Sequence, residues 1–180
     1  MSLRVFAALP VPENVADQAM ELMDQVPGAN WRPRENLHIT LAFYGELPEP
    51  VIQDLDAGLA CISAPSLQLR LSGVRRSGGK DSGALWAVVD PDPGLTQLAR
   101  DCRKAARGAG IEMEKRGFVA HLTLAYLSGS VDQIRLQRFE QRHSLFKSDT
   151  FVPDRFYLYS SRARKVGKTN AYEIEAEYPL

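Results

Sequence analysis

The sequence predicts an α+β fold of two similar lobes related by a pseudo-twofold. Mainly antiparallel sheets line a central cleft, with helices on the outer faces. Three observations carry that expectation. The first is a repeated order of elements: strand, helix, strand, helix, strand, and then the same five again. The second is a repeated tetrapeptide, His38-Ile39-Thr40-Leu41 and His121-Leu122-Thr123-Leu124, on the middle strand of each half. Only three histidines occur in the chain, and two of them fall in this one context, 83 positions apart. The third is size. With 180 residues, 44% of them hydrophobic, the chain suffices for one sizeable domain or two small lobes sharing a cleft. No linker separates the halves, so residues 1–180 are expected to form one two-lobed domain.

The elements follow from periodicity and punctuation. An apolar strand over 4–9 ends at Pro10-Val11-Pro12, since two prolines so close break regular structure. Val15, Ala19, Met20 and Met23 recur at helical spacing, predicting a helix over about 13–26 that Pro27-Gly28 stops. A short extended piece over 31–34 leads to the first His-Thr strand, 36–44, closed by Gly45. Proline is tolerated in a first helical turn, so the next helix starts at Pro48-Glu49-Pro50 and runs to about 62. Leu67, Leu69 and Leu71 alternate with polar residues, predicting a half-buried strand over 67–74. A polar, glycine-rich loop over 75–83 separates it from an apolar strand over 84–89. After the turn at 91–94, Leu95, Leu98, Ala99, Cys102 and Ala106 mark one face of a helix over 95–109. The second His-Thr strand spans 119–126, and a helix over 131–142 follows. Strands over 151–160 and 171–178 close the chain, joined by a basic loop.

Strand geometry gives the tetrapeptide its meaning. Successive side chains point to opposite faces. His38, Thr40 and Ala42 are therefore expected on one face, with Leu37, Ile39, Leu41 and Phe43 on the other. His121, Thr123 and Ala125 repeat the arrangement above Leu122 and Leu124. Each strand offers one imidazole and one hydroxyl on a rigid support, above a face suited to packing on helices.

Composition excludes several classes of function. Acidic and basic residues balance at 22 each, so the protein has no polycationic nucleic-acid coat. The charge is uneven, −6 over residues 1–60 and +6 over the rest, and a basic patch on the later part suits attraction of a phosphate. Chance segregation of solvated charges gives the same tally. Cys61 and Cys102 are too few and too far apart for a disulfide framework or zinc cluster, and each is expected as a buried helical thiol. The apolar start is too short to cross a membrane and lacks the features of a signal peptide, so a cytoplasmic protein is expected.

The histidine pair suits general acid–base chemistry. An imidazole has an unperturbed pKa of about 6.5, so both protonation states are accessible near neutrality. One histidine takes a proton from a nucleophile while the other protonates a leaving oxygen. The hydroxyls of Thr40 and Thr123 are placed to donate to phosphate oxygens. No Asp, Glu or Cys falls within either tetrapeptide, and two histidines alone hold a metal weakly, so neither metal nor cofactor is expected. No Gly-x-Ser-x-Gly elbow or phosphate-binding glycine loop is present. His143, near a helix end, is accounted for by capping or exposure.

These paired His-x-Thr-x motifs resemble those of the 2H phosphoesterase superfamily. The wider match resembles the bacterial and archaeal RNA 2′,3′-cyclic phosphodiesterases, also called the 2′-5′ RNA ligase family. It includes Arg4 to Pro10, Asn36 to Glu46, Arg116-Gly117-Phe118 before the second motif, Ser161-Arg162, and Tyr172-Glu173-Ile174. The resemblance implies a metal-independent enzyme that opens a 2′,3′-cyclic phosphate, at an RNA 3′ end or on a nucleoside, to a 2′-phosphate; a self-contained two-lobed cleft needs no partner, so a monomer is expected. It implies His38 as general acid, His121 as general base, and Thr40 and Thr123 as phosphate-binding residues. Two departures stand out. Family members often carry arginine three residues after the second threonine, where this chain has Tyr126; either a nearby cation such as Arg116 or Arg162 substitutes, or phosphate affinity is reduced. Proline often precedes the second histidine, and here it is Ala120. Phe118 reads either as a platform for a base or as a core residue. The basic run Arg155, Arg162, Arg164, Lys165 and Lys168 reads either as an RNA-backbone track or as a solvated loop. Two other functions remain open: joining ends as a 2′-5′ linkage in the same site, and binding RNA ends with little turnover, which Tyr126 favours.

Overall fold

Proline and glycine breaks set most of the element bounds. The computed structural model describes residues 2–24, 26–78, 82–115, 117–162 and 170–180. In the first half, β1 spans Ser2–Pro10, α1 Glu13–Glu21, β2 Asn30–Trp31, β3 His38–Pro48 and α2 Glu49–Ala60. Then come β4 Leu71–Gly78, β5 Ser82–Val89, α3 Pro93–Gly108, β6 His121–Ser128, α4 Gln133–Arg142, β7 Arg155–Arg162 and β8 Ala171–Pro179. A 3₁₀ turn, Arg34–Asn36, leads into β3.

Helix starts follow local chemistry. Asp92 caps α3 by accepting from the Leu95 amide at 2.7 Å, with Pro93 in the first turn. Asp132 caps α4 by accepting from the Ile134 amide at 2.8 Å. α1 is shorter than its apolar spacing predicts. The amides of Leu22 and Met23 bond the carbonyls three residues back, at Ala19 and Met20, so the helix tightens and stops.

Two other expectations change. The loop over 75–83 is largely a hairpin: β4 continues to Gly78 and pairs with β5 through Arg76↔Leu85 and Gly78↔Gly83. Backbone pairing is indifferent to side-chain polarity, and Arg76 is tied across to α4, its amide donating to Glu140 at 2.9 Å. Residues 67–70 lie outside the named strands, although Leu69 bridges Phe151 through two hydrogen bonds of 2.8 Å. The alternation there reported burial correctly, since Leu67, Leu69 and Leu71 are all buried. Cys102 is buried as expected, but Cys61, just past the end of α2, is exposed.

Every strand pairing is antiparallel, in the order β4-β5-β6-β3-β1-β7-β8, with β2 on β6. The halves do not form separate sheets: β4 of the first pairs with β5 of the second, β1 pairs with β7, and all lie in one eight-stranded sheet. At its centre the two His-Thr strands, β3 and β6, meet through a single residue pair, Ile39↔Leu122. Beyond it β3 diverges from β6, and β2 pairs with the far end of β6 through Trp31↔Ala125 and Asn30↔Tyr126. Below the junction, Ile39 and Leu122 share one contiguous apolar core with Leu55 and Leu59 of α2 and Leu95, Leu98 and Cys102 of α3. That core fixes the backbone of both His-Thr strands from beneath. Among the described residues, no helix is long and apolar enough to cross a membrane.

Candidate active site

Both tetrapeptides open a strand, His38 at the start of β3 and His121 at the start of β6. The Ile39↔Leu122 pair is antiparallel, so one step to either side sets His38 against Thr123 and Thr40 against His121. All four side chains line the same cleft.

A bulge follows each motif at the equivalent position. Ala42 pairs with Ala7 and Thr40 with Ala8, leaving Leu41 unpaired. Ala125 pairs with Leu85 and Thr123 with Trp86, leaving Leu124 unpaired. An extra residue inverts the alternation beyond it. Ala125, expected in the cleft, is buried away from it, and Ala42 is buried at the cleft's edge. Phe43, expected in the core, is 56% exposed on the cleft side, and Tyr126 of β6 is 48% exposed there.

The two imidazoles are oriented alike. His38 Nδ1 lies 2.9 Å from the Asn36 carbonyl oxygen, and His121 Nδ1 lies 2.7 Å from that of Val119. A carbonyl only accepts, so in each ring Nδ1 carries the proton and Nε2 is left for chemistry. The surroundings differ. His38 sits among aromatic rings, with centroids 4.9 Å from Phe6 and 5.3 Å from Tyr172. His121 stacks on Trp86 at 3.8 Å.

Burial sets the protonation. It lowers the His38 pKa to about 4, against the pull of the Asn36 carbonyl, and the charge of Arg32 lowers it further. Burial also lowers His121, opposed by the Val119 carbonyl. A histidine depressed in the folded state stabilises the fold fully above the unfolded pKa of about 6.5. That contribution is lost as pH falls through the folded value. His38 is therefore expected to remove about 3 kcal/mol of stability on acidification from pH 7.5 toward pH 4. Urea midpoints of wild type and His38→Gln across this range test it. The variant should lose distinctly less stability, and parallel losses would mean that His38 is not desolvated.

The remaining residues singled out from sequence separate clearly. Phe118 is half-buried, lines the cleft and packs against the core, so both of its readings describe part of it. Arg162, at the end of β7, pairs with Glu173 at 2.9 Å and is not among the cleft-lining side chains. Arg116 and the basic residues Arg164, Lys165 and Lys168 lie outside the described residues. Among the described residues, no group of three or more His, Cys, Asp or Glu side chains comes together.

Sequence reading missed Arg32. It follows β2, lines the cleft, is only 7% exposed, and places its guanidinium carbon 5.0 Å from the centre of the Tyr126 ring. Its one sequence signal was an arginine beside Trp31 in an acid-rich segment. The partner strand of so short a piece was not legible.

Comparison with known proteins finds similarity along nearly the whole chain. The model of the 2′-5′ RNA ligase superfamily matches residues 11–165. The RNA 2′,3′-cyclic phosphodiesterase of Thermotoga maritima is 29% identical over 188 residues, covering 98% of this chain and 96% of that protein. The protein of the same name from Geobacillus stearothermophilus is 28% identical over 183 residues and covers 97% of this chain, which spans only 56% of that relative. In fold, the chain is similar to the crystal structure of E. coli LigT complexed with 3′-AMP. The TM-score is 0.81 at 22% identity, covering 100% of this chain and 99% of that one.

Proposed function

Because the chain belongs to the 2′-5′ RNA ligase superfamily, we propose that its cleft hydrolyses the 2′,3′-cyclic phosphate of an RNA 3′ end or nucleoside to a 2′-phosphate. The observation that carries this reading is the pair of imidazoles, each with Nδ1 on a carbonyl and Nε2 free, flanked by Thr40 and Thr123 in one cleft.

In the proposed step, one Nε2 takes a proton from water as its oxygen bonds to phosphorus. The P–O3′ bond breaks, and the other imidazole gives its proton to O3′. The products are a 2′-phosphate and a 3′-hydroxyl. Proton exchange with solvent then resets the pair. The threonine hydroxyls donate to the non-bridging oxygens, whose charge grows in the transition state.

The family resemblance makes His38 the acid and His121 the base. One observation favours the opposite order. His38 is the more deeply desolvated ring and faces the charge of Arg32, so the first proton taken up by the empty pair goes to His121.

We also read the sheet as two lobes in a single domain, exchanged by an approximate twofold through the Ile39–Leu122 pair. The matching bulges, the matching histidine–carbonyl bonds and the Phe43/Tyr126 pair support this. Both halves of the site come from one chain, which supports action as a monomer. Phe43, Phe118 and Tyr126 supply the aromatic surface on which a terminal base would stack.

The test is incubation of the protein with adenosine 2′,3′-cyclic phosphate in EDTA, with the products separated by chromatography. Multiple turnovers to 2′-AMP are expected. Binding without turnover would overturn the hydrolase reading, and activity lost only in chelator would require a metal.

A further inference from the structure

We propose that Arg32 is the phosphate-binding cation of this cleft, taking from the strand beside β6 the place that an arginine at position 126 would fill on β6. This rests on the cyclic-phosphate reading of the site.

Backbone pairing brings Arg32 to that place. Trp31 pairs with Ala125 and Asn30 with Tyr126, and the Arg32 amide donates to the carbonyl of Leu124 at 2.8 Å. Leu124 is the bulged residue between Thr123 and Ala125. Arg32 is therefore anchored beside the second motif, one strand over from residue 126. Its guanidinium lies over the Tyr126 ring, an arrangement that holds a cation by the ring's negative face. Tyr126 thus does not leave the cleft without a cation; its ring positions one.

Charge points the same way. Arg32 is only 7% exposed, and among the described residues no carboxylate pairs with it. Burying an unpaired charge is costly unless a counter-ion arrives. The cleft is also lined by Arg103, Glu112 and Glu114, but the described groups that meet the Arg32 guanidinium are the Tyr126 ring and the Tyr172 hydroxyl, not a carboxylate. A phosphate monoanion between Thr40 and Thr123 would supply the missing charge, and the planar guanidinium fork suits two of its oxygens. The other arginines that sequence reading offered do not compete on described geometry: Arg162 is held by Glu173, and Arg116 is outside the described residues.

The experiment moves the cation between strands. Binding of 2′-AMP and of inorganic phosphate is measured by calorimetry for wild type, Arg32→Met, Arg32→Lys and the double variant Arg32→Met/Tyr126→Arg, with urea midpoints beside them. Arg32→Met should weaken 2′-AMP binding by about 10- to 100-fold. The lysine variant should fall between it and wild type. The double variant should recover at least half of the lost affinity on a logarithmic scale, which a purely structural role for Arg32 would not produce. Wild-type affinity in folded Arg32→Met would overturn the proposal. So would a folded double variant that binds no better than Arg32→Met. If Arg32→Met does not fold, undiminished affinity in Arg32→Lys would overturn it. Because binding is the readout, these outcomes stand whether or not the wild type turns over a cyclic phosphate, so failure of the hydrolase reading is recognised separately.

Discussion

Alanine at His38 or at His121 is expected to lower kcat/KM toward adenosine 2′,3′-cyclic phosphate by about 10²–10⁴-fold. The two rings act in one step, so the double variant should be little worse than the poorer single one. Neither change should unfold the protein, because both rings lie on the cleft face while Ile39 and Leu122 carry the core contacts beneath. A substrate with sulfur in place of O3′ identifies the roles. A thiolate leaves without protonation, so the variant lacking the acid should recover to within about tenfold of wild type on that substrate, while the variant lacking the base should not. Rescue of the His38 variant would match the family order, and rescue of the His121 variant would match the burial asymmetry. Rescue of neither would refute a division of labour between the rings.

Valine at Thr40 or Thr123 should cost about 10²–10³-fold in kcat/KM, the effect of losing one donor to a charged oxygen in the transition state. Valine keeps the β-branched shape and suits a strand, so the urea midpoint should barely move. Both side chains are half-buried in the cleft lining. Serine should retain most of the activity. A valine variant with wild-type kcat/KM would show that the hydroxyl does not touch the reacting phosphate, and would leave Arg32 and backbone amides as its partners.

Much of this is legible in the sequence. The strand carrying each motif was readable because apolar residues alternate around His38 and His121 between clear breaks. The cleft face was readable for His38, Thr40, His121 and Thr123, which precede the bulges. Alternation failed one residue later. Leu41 and Leu124 each add a residue to the ladder, and a bulge has no composition of its own at these positions. Simple alternation therefore puts Phe43 on the core face, whereas it lies on the cleft side. The hairpin of β4 and β5 reads as a loop from sequence because the stretch 75–83 is polar and glycine-rich, whereas its pairing is a backbone property.

The sequence by itself determined the α+β class, the repeated motif and the chemistry of its side chains, because strand periodicity and side-chain identity are local. Only the tertiary structure decided what lies beside those side chains. It joined the halves into one sheet, pairing β4 with β5 and β1 with β7 as well as Ile39 with Leu122. It surrounded His38 with Phe6, Tyr159 and Tyr172, so that desolvation separates the two histidines' protonation. It also brought Arg32 from a two-residue strand to the edge of β6. Each of these depends on pairing between distant segments and on burial, which the order of residues along one strand does not encode.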